Sequence, residues 1–218
     1  MSADDQTAVP APERSYFQEI AGTLEAPWEI GKAQPAIAGL ASDGVFDGKS
    51  VLDVGCCIGD NSIHIAKHAK GATVTGCDLV ERALGVARSK AAEAGVEVEF
   101  VQQDLLLPLQ GALQGRQFDV VLDSAVYHVF ARGSKDRQDY VHTLGQLVKP
   151  GGRIVMLVFS DKQPGDQGPV RITKEDIHGS YPPPGWTVER IDDAIYECVP
   201  PRFEGKAQAY LAFIRKND

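Results

Sequence analysis

Carboxylates recur where short apolar runs of this chain end, and that placement suits a nucleoside-like ligand. Val51-Leu52-Asp53-Val54-Gly55-Cys56-Cys57-Ile58-Gly59-Asp60-Asn61 passes from a branched apolar stretch through an acid into a turn with two glycines. Gly55 and Gly59 let the backbone turn sharply and approach a ligand with no Cβ in the way. Asp60, Asn61 or Ser62 can cap the helix that follows, leaving N–H groups aimed at the ligand. The Asp-x-Gly-x-x-x-Gly spacing departs from the Gly-x-Gly-x-x-Gly of dinucleotide sites. Asp78 ends the second apolar run, where an acid can bind a ribose diol. Asp104 ends the third run, and Asp123-Ser124 end the fourth. A lone Asp after a strand is usually a turn former. Three in succession beside a glycine turn favour a nucleoside site. His128 follows one short turn later; a histidine titrating near neutrality suits removal of a proton from an acceptor hydroxyl. Its competing reading is a helix cap or a solvent-facing ring.

The elements that must position these groups alternate along the chain. Strands are predicted at 50–54, 73–77, 96–101, 120–123 and 153–159, with helices at 61–68, 81–94 and 136–147 between them. Pro150-Gly151-Gly152 reads as a tight turn into the fifth strand. Such alternation predicts a parallel, doubly wound α/β sheet with the ligand beyond the carboxyl ends of its strands. Two further strand-like runs, 187–198 and 206–215, have no helix between them and predict an antiparallel hairpin on the sheet edge. Upstream, 14–24 has helical spacing with Tyr16, Phe17, Ile20, Ala21 and Leu24 on one face; Pro27-Trp28 breaks it, and a helix resumes over 34–40. The organisation expected is a disordered tail over 1–13 and one domain over 14–218, whose first part, 14–48, is helical.

The whole chain has 218 residues, 43% hydrophobic and 24% charged, with a net charge of −8. That is the balance of an ordinary globule. No basic run marks a nucleic-acid footprint, and no apolar run is long enough to span a membrane. The acidic start lacks the apolar core of a signal peptide, so the expectation is a cytoplasmic protein with no nucleic-acid or membrane partner. Four cysteines, Cys56, Cys57, Cys77 and Cys198, show no disulfide-framework spacing and read as reduced. His64 and His68 stand one helical turn apart near Cys56 and Cys57. However, the cysteines belong to the ligand turn and no Glu lies between the histidines, so no metal is expected.

These segments resemble class I S-adenosylmethionine-dependent methyltransferases from about Pro27 to the C-terminus. Carrying the resemblance are Val51 to Cys56, Gly76-Cys77-Asp78-Leu79, Gln103-Asp104, Phe118 to Asp123, and Leu147-Val148-Lys149-Pro150-Gly151-Gly152-Arg153. The resemblance implies a Rossmann-like seven-stranded sheet, mostly parallel, with an antiparallel last strand. It implies that Asp53, Gly55, Cys56, Gly59 and Asn61 surround the methionine part of S-adenosylmethionine. Asp78 with Leu79 would hold the ribose, Asp104 with Leu105 the adenine, and Asp123-Ser124 would close the cofactor site. The family's usual glycine at position 57 is Cys57 here, which narrows the turn. Ala26-Pro27-Trp28-Glu29-Ile30-Gly31 resembles the entry segment of small-molecule methyltransferases, a group including thiol, halide and thiopurine methyltransferases. Asp123 to Phe130, with Phe159-Ser160-Asp161, look most like bacterial enzymes that O-methylate heteroaromatic hydroxyls. In that group the N-terminal segment lies over the cofactor as a lid, with Trp28 against cofactor and substrate.

The resulting expectation is methyl transfer to a small, flat hydroxylated acceptor with His128 as base. Tyr16, Phe17, Trp28, Tyr127 and Phe159 would enclose the acceptor, and Trp186 is a further aromatic. Each has a core-packing alternative, and Trp28 can equally pin the N-terminal helix to the domain. Competing functions are S-methylation of small thiols, a nicotinamide-dependent oxidoreductase and a non-catalytic cofactor-binding protein. The oligomeric state is not legible in the sequence.

Overall fold

Val51-Leu52-Asp53-Val54 is apolar on both faces apart from its acid, the pattern of a strand covered on both sides. It lies in β1 (Ser50–Val54), beside the centre of a seven-stranded sheet. The computed structural model describes residues 13–23 and 25–218. The predicted tail therefore lies, apart from Glu13, outside the described residues, as does Leu24. The remaining strands are β2 (Thr73–Asp78), β3 (Glu99–Gln102), β4 (Phe118–Ser124), β5 (Val148–Phe159), β6 (Trp186–Glu197) and β7 (Lys206–Lys216). Their order is β3-β2-β1-β4-β5-β7-β6. Neighbours from β3 through β5 pair in parallel, and β7 is antiparallel to both β5 and β6. The predicted hairpin forms, with its second strand as the inner one.

The helices are α1 (Arg14–Ile20), α2 (Pro35–Ser42), α3 (Asp60–His68), α4 (Glu81–Ala94), α5 (Lys135–Leu147) and α6 (Lys174–Ser180). Side-chain alternation sorts the strands into two cores. Val51, Leu122 and Leu157 pack with α2 and α3 through Ile37, Leu40 and Ile65. Leu52, Val121 and Met156 face the other way, against α5 and α6 through Leu144, Leu147 and Ile177. Helices therefore cover both faces, as a doubly wound sheet requires.

Three local differences from the sequence reading have physical causes. Strand five starts at Val148, because Pro150-Gly151-Gly152 forms a bulge inside the strand; the register jumps from Phe118↔Val148 to Val120↔Arg153. Strand three starts only at Glu99, after the helix stop at Gly95 in the left-handed region. Helix α6 was not predicted. Its seven residues are too few for periodicity, although the Thr173–Asp176 capping box marks its start.

Leu122 is wholly buried in β4, between β1 and β5. Leu122→Ala is expected to lower the unfolding free energy by about 2–5 kcal/mol. A urea midpoint unchanged from wild type would show that this layer is not the core.

Candidate active site

The strand order reverses between β1 and β4, and a crevice opens there outside the carboxyl ends. A cavity of about 620 Å³ follows that edge. From the β1–β3 side, Gly55, Asp78, Leu79, Asp104 and Leu105 line it. Ser124, Ala125, Val126 and His128 line its middle, and Phe159, Tyr196 and Phe203 its β5–β6 side. Tyr16, Phe17, Pro27 and Trp28 form its N-terminal wall.

The glycine turn is shaped by packing as much as by any ligand. Gly55 has φ +62°, and a Cβ on it would come within 2.3 Å of Val126 Cγ2. Gly59 has φ +80°, and a Cβ there would lie 2.9 Å from the Phe100 ring. Gly59 is also the N-cap of α3, so the predicted polar cap is absent. The candidate cap side chains are used elsewhere. Asp60 pairs with Lys90, Asn61 Oδ1 accepts the Gln34 N–H at 2.9 Å, and the Ser62 hydroxyl donates to Asp53 Oδ2 at 2.5 Å. Asp53, Cys56, Gly59 and Asn61 consequently do not line the cavity; they support the turn from behind.

Asp78 lies at the cavity wall. Its carboxylate accepts the Cys57 N–H at 2.9 Å and the Val80 N–H at 2.8 Å. Burial raises its pKa, and those two N–H groups oppose the rise. Asp104 accepts the Leu106 N–H at 3.0 Å and pairs with Arg14 at the start of α1. Buried below them, Asp53 is raised to about 7 by loss of solvent, and its Oδ1 has no partner among the described residues.

Cys57 is one of four described non-glycine residues with positive φ, at +48°. Ala125 and Phe203 are two others, and all three line the cavity. Such strain concentrates where surrounding structure imposes it, often at functional sites. The Cys57 thiol donates to Glu29 Oε1 at 2.9 Å and accepts the Trp28 Nε1–H at 3.3 Å. Burial pushes its pKa up, with Asp78 and Glu29 adding to the effect, so the thiol stays protonated. Trp28 also meets Tyr16 and Phe17, at ring separations of 6.2 and 5.7 Å. Trp28 therefore both packs on α1 and lines the cavity.

Asp123 does not reach the cavity. It is buried, raised to about 6 by burial, and accepts N–H groups from Val126 and Tyr127. Tyr127, expected beside the acceptor, is instead core. Its hydroxyl lies 2.7 Å from Ser180 Oγ, and the Arg137 guanidinium covers its ring at 4.7 Å. In the tight turn Tyr127–Val129, consecutive side chains must diverge, and His128 takes the cavity side. Trp186 begins β6 at the opposite edge and packs on Tyr181.

His128 reaches the cavity without the properties of a base. Its Nδ1 accepts the Phe159 N–H at 3.1 Å, which assigns the neutral ring's proton to Nε2. Burial lowers its pKa to about 3, and the Arg171 charge adds to the fall. Near neutral pH the ring is a hydrogen-bond donor. Sequence reading missed Tyr196 and Phe203 at the cavity, because they lie on a hairpin whose folding over the edge leaves no motif. Their only sequence signal is aromatic character beside Pro200-Pro201 and Gly205.

Residues 51–152 match the family described as a methyltransferase domain. A ubiquinone biosynthesis O-methyltransferase from Salmonella arizonae is 44% identical over 114 residues, covering 52% of this chain and 43% of the relative. This chain thus spans less than half that relative's length. A solved structure concerned with conversion of a disulfide bond into a thioacetal group during echinomycin biosynthesis is 28% identical. It covers 93% of this chain and 89% of its own, with a TM-score of 0.77. Over that domain the chain is similar to S-adenosylmethionine-dependent methyltransferases. The fold is shared with Burkholderia thailandensis 1,6-didemethyltoxoflavin-N1-methyltransferase, solved with 1,6-didemethyltoxoflavin and S-adenosylhomocysteine. Here the TM-score is 0.62 at 21% identity, over 94% of this chain and 82% of that one.

The cavity fits S-adenosylmethionine, the cofactor of the proteins this domain is similar to. It has room for a nucleoside with an amino-acid tail, carboxylates at one end, and the buried Ser124 hydroxyl in its wall without a partner among the described residues. Among those residues, no group of three or more His, Cys, Asp or Glu is arranged to hold a metal, and no helix is long and apolar enough to cross a membrane.

Two outcomes follow from the carboxylates around this cavity. Asp78→Ala is expected to weaken S-adenosylhomocysteine binding by about ten-fold or more, since charge-assisted hydrogen bonds are lost; calorimetry giving wild-type affinity would remove Asp78 from the site. Asp53 is protonated in the folded chain up to about pH 7 but ionises near its ordinary 3.8 when unfolded. Its contribution to stability is complete below the unfolded value and is lost as pH rises through the folded one. The thermal midpoint of Asp53→Asn relative to wild type should therefore rise from about pH 4 to about pH 7 and level off above. A difference independent of pH would mean that Asp53 titrates normally.

Proposed function

We propose that this chain transfers a methyl group from S-adenosylmethionine to a hydroxyl of a small, flat aromatic or heteroaromatic acceptor. The observation that carries the reading is one cavity across the β1/β4 switch point, with Asp78 and Asp104 at one end and aromatic rings at the other. The 44% identity to an O-methyltransferase supports oxygen as the acceptor atom. When bound, S-adenosylmethionine supplies an electrophilic methyl group on a sulfonium. Asp78 and Leu79 would hold its ribose, Asp104 and Leu105 its adenine, and Ser124 its amino-acid end. The protein's main task is alignment of the acceptor lone pair with the methyl carbon, and positioning of this kind supplies most of the acceleration. Trp28 and Phe159 close apolar walls around the acceptor and exclude water. His128 donates from Nε2 to the acceptor oxygen and holds it in line; the hydroxyl proton leaves by the acceptor's own ionisation.

A second reading, methylation of sulfur, is favoured by one observation. A chain whose cavity histidine is a donor with its pKa near 3 suits acceptors that need no base, such as thiolates. The 28% identical relative associated with conversion of a disulfide bond into a thioacetal points the same way.

Matched phenols and thiols, scored by release of S-adenosylhomocysteine, separate the two readings. No turnover with any member, despite cofactor binding, would favour a non-catalytic protein. His128→Phe is expected to lower kcat/KM by about ten- to a hundred-fold, the worth of one hydrogen bond to a charged oxygen. The wild-type pH profile should then follow the acceptor's pKa, with no limb near 6.5. A loss of about a thousand-fold together with such a limb would restore His128 as general base.

A further inference from the structure

We infer that the β6–β7 hairpin completes a subsite for a planar aromatic acceptor without positive charge, with Tyr196 and Phe203 as its specificity-determining walls. The inference rests on the methyl-transfer reading and adds to it the residues that choose the acceptor.

Four rings meet at this end of the cavity. Phe159 is the hub. It packs edge-on against His128 at 5.0 Å and 86°, against Phe203 at 5.0 Å and 79°, and tilted against Tyr196 at 5.5 Å and 57°. His128 and Tyr196 are 6.5 Å apart. All four line the cavity. Rings set at steep angles around a space present both faces and edges to it, which suits a flat guest better than a puckered one.

The hairpin holds Phe203 there against backbone preference. Phe203 and Glu204 are consecutive non-glycine residues in the left-handed region, at φ +50° and +52°. Neither side chain favours that conformation, so surrounding contacts must impose it. One such contact is the facing loop, where a Cβ on Gly168 would come within 2.8 Å of the Phe203 ring. Arg171 fastens that loop, donating to the Gln163, Gly165, Gln167 and Pro169 carbonyls at 2.7 to 3.2 Å. Its guanidinium also lies over Phe159 and Phe203, at 5.7 and 5.8 Å. Arg171 is thereby a positioning residue that locks two walls and the loop together, and it is not left free for an acidic substrate.

Charge at this end excludes cations. The acids lining the cavity, Asp78, Asp104 and Asp136, come from the ends of β2 and β3 and from the start of α5. The β5–β7 side contributes no acid to the wall and one cation, Arg202. With Arg171 close behind, an ammonium-bearing acceptor would be repelled, whereas a neutral or ionised phenol would not.

The test is equilibrium binding to the full chain saturated with S-adenosylhomocysteine. The probes are 2-naphthol, its saturated analogue decahydro-2-naphthol, and 2-naphthylmethylammonium. Wild type is expected to bind 2-naphthol at least about ten-fold tighter than either other probe. Phe203→Ala and Phe203→Leu should each erase most of that preference while leaving S-adenosylhomocysteine affinity within about two-fold. The leucine variant keeps apolar volume and loses only the flat ring, so it reports on the subsite even where the alanine variant unfolds. Tyr196→Leu should act in the same direction. Equal binding of 2-naphthol and decahydro-2-naphthol by wild type, or an unchanged preference in Phe203→Leu, would overturn the inference and leave the methyl-transfer reading standing. Failure of wild type to bind S-adenosylhomocysteine would instead overturn that reading, and this inference with it.

Discussion

At the end of β4, the wholly buried Asp123 carboxylate accepts the Val126 and Tyr127 N–H groups and the Tyr140 hydroxyl. Among the described residues no cation neutralises it, and burial raises its pKa to about 6. Three donors make the cost of burial tolerable, because a carboxylate out of water is stable only when its lone pairs are met. Much of the site depends on this knot. It ties the central strand to α5 through Tyr140 and fixes the turn that carries Val126 and His128. Val126 in turn closes on Gly55, and His128 engages the Phe159 backbone at the end of β5. Three strand ends are thus held in one arrangement around the switch point.

The N-terminal segment depends on that frame and spans it. Trp28 and Glu29 bind the Cys57 thiol, the Pro27 carbonyl accepts the Val199 N–H at 2.8 Å, and Gln34 exchanges two hydrogen bonds with the Glu197 backbone. One stretch of chain therefore joins the glycine turn to the β6–β7 hairpin. Arg82 reaches the carbonyls at the end of α1 and holds that helix against α4. The departure from glycine at position 57 takes on a purpose in this setting. The side chain that narrows the turn is also the group that fastens the strap, and a glycine there would have nothing to offer Trp28 and Glu29.

Much of this arrangement was legible in the chain because it is periodic or local. Alternating strands and helices, two glycines required by close contacts, and acids at strand ends all leave marks within a few residues. Asp78 and Asp104 reached the cavity as their positions indicated. Asp53, Asp123 and Asn61 bear the same marks but turned inward, since an acid at a strand end can face a ligand or cap the neighbouring backbone. Tyr127 and His128 illustrate the limit most directly. They are adjacent in sequence and diverge in a single tight turn, one into the core and one into the cavity. His128 was recognised by residue type, whereas the occupation of its Nδ1 by the Phe159 N–H depends on a strand 31 residues further along the chain.

The sequence alone determined the doubly wound sheet, its antiparallel ending, the glycine turn and the edge along which the cavity opens, because these follow from hydrophobic period, turn chemistry and strand ends. Tertiary structure decided which polar groups became donors, which aromatics entered the cavity, and that a Pro- and Gly-rich hairpin supplies two of its walls. Those choices rest on contacts between residues far apart in the chain, and on loss of solvent around Asp53, Asp123 and His128. Neither is written in any short stretch of sequence.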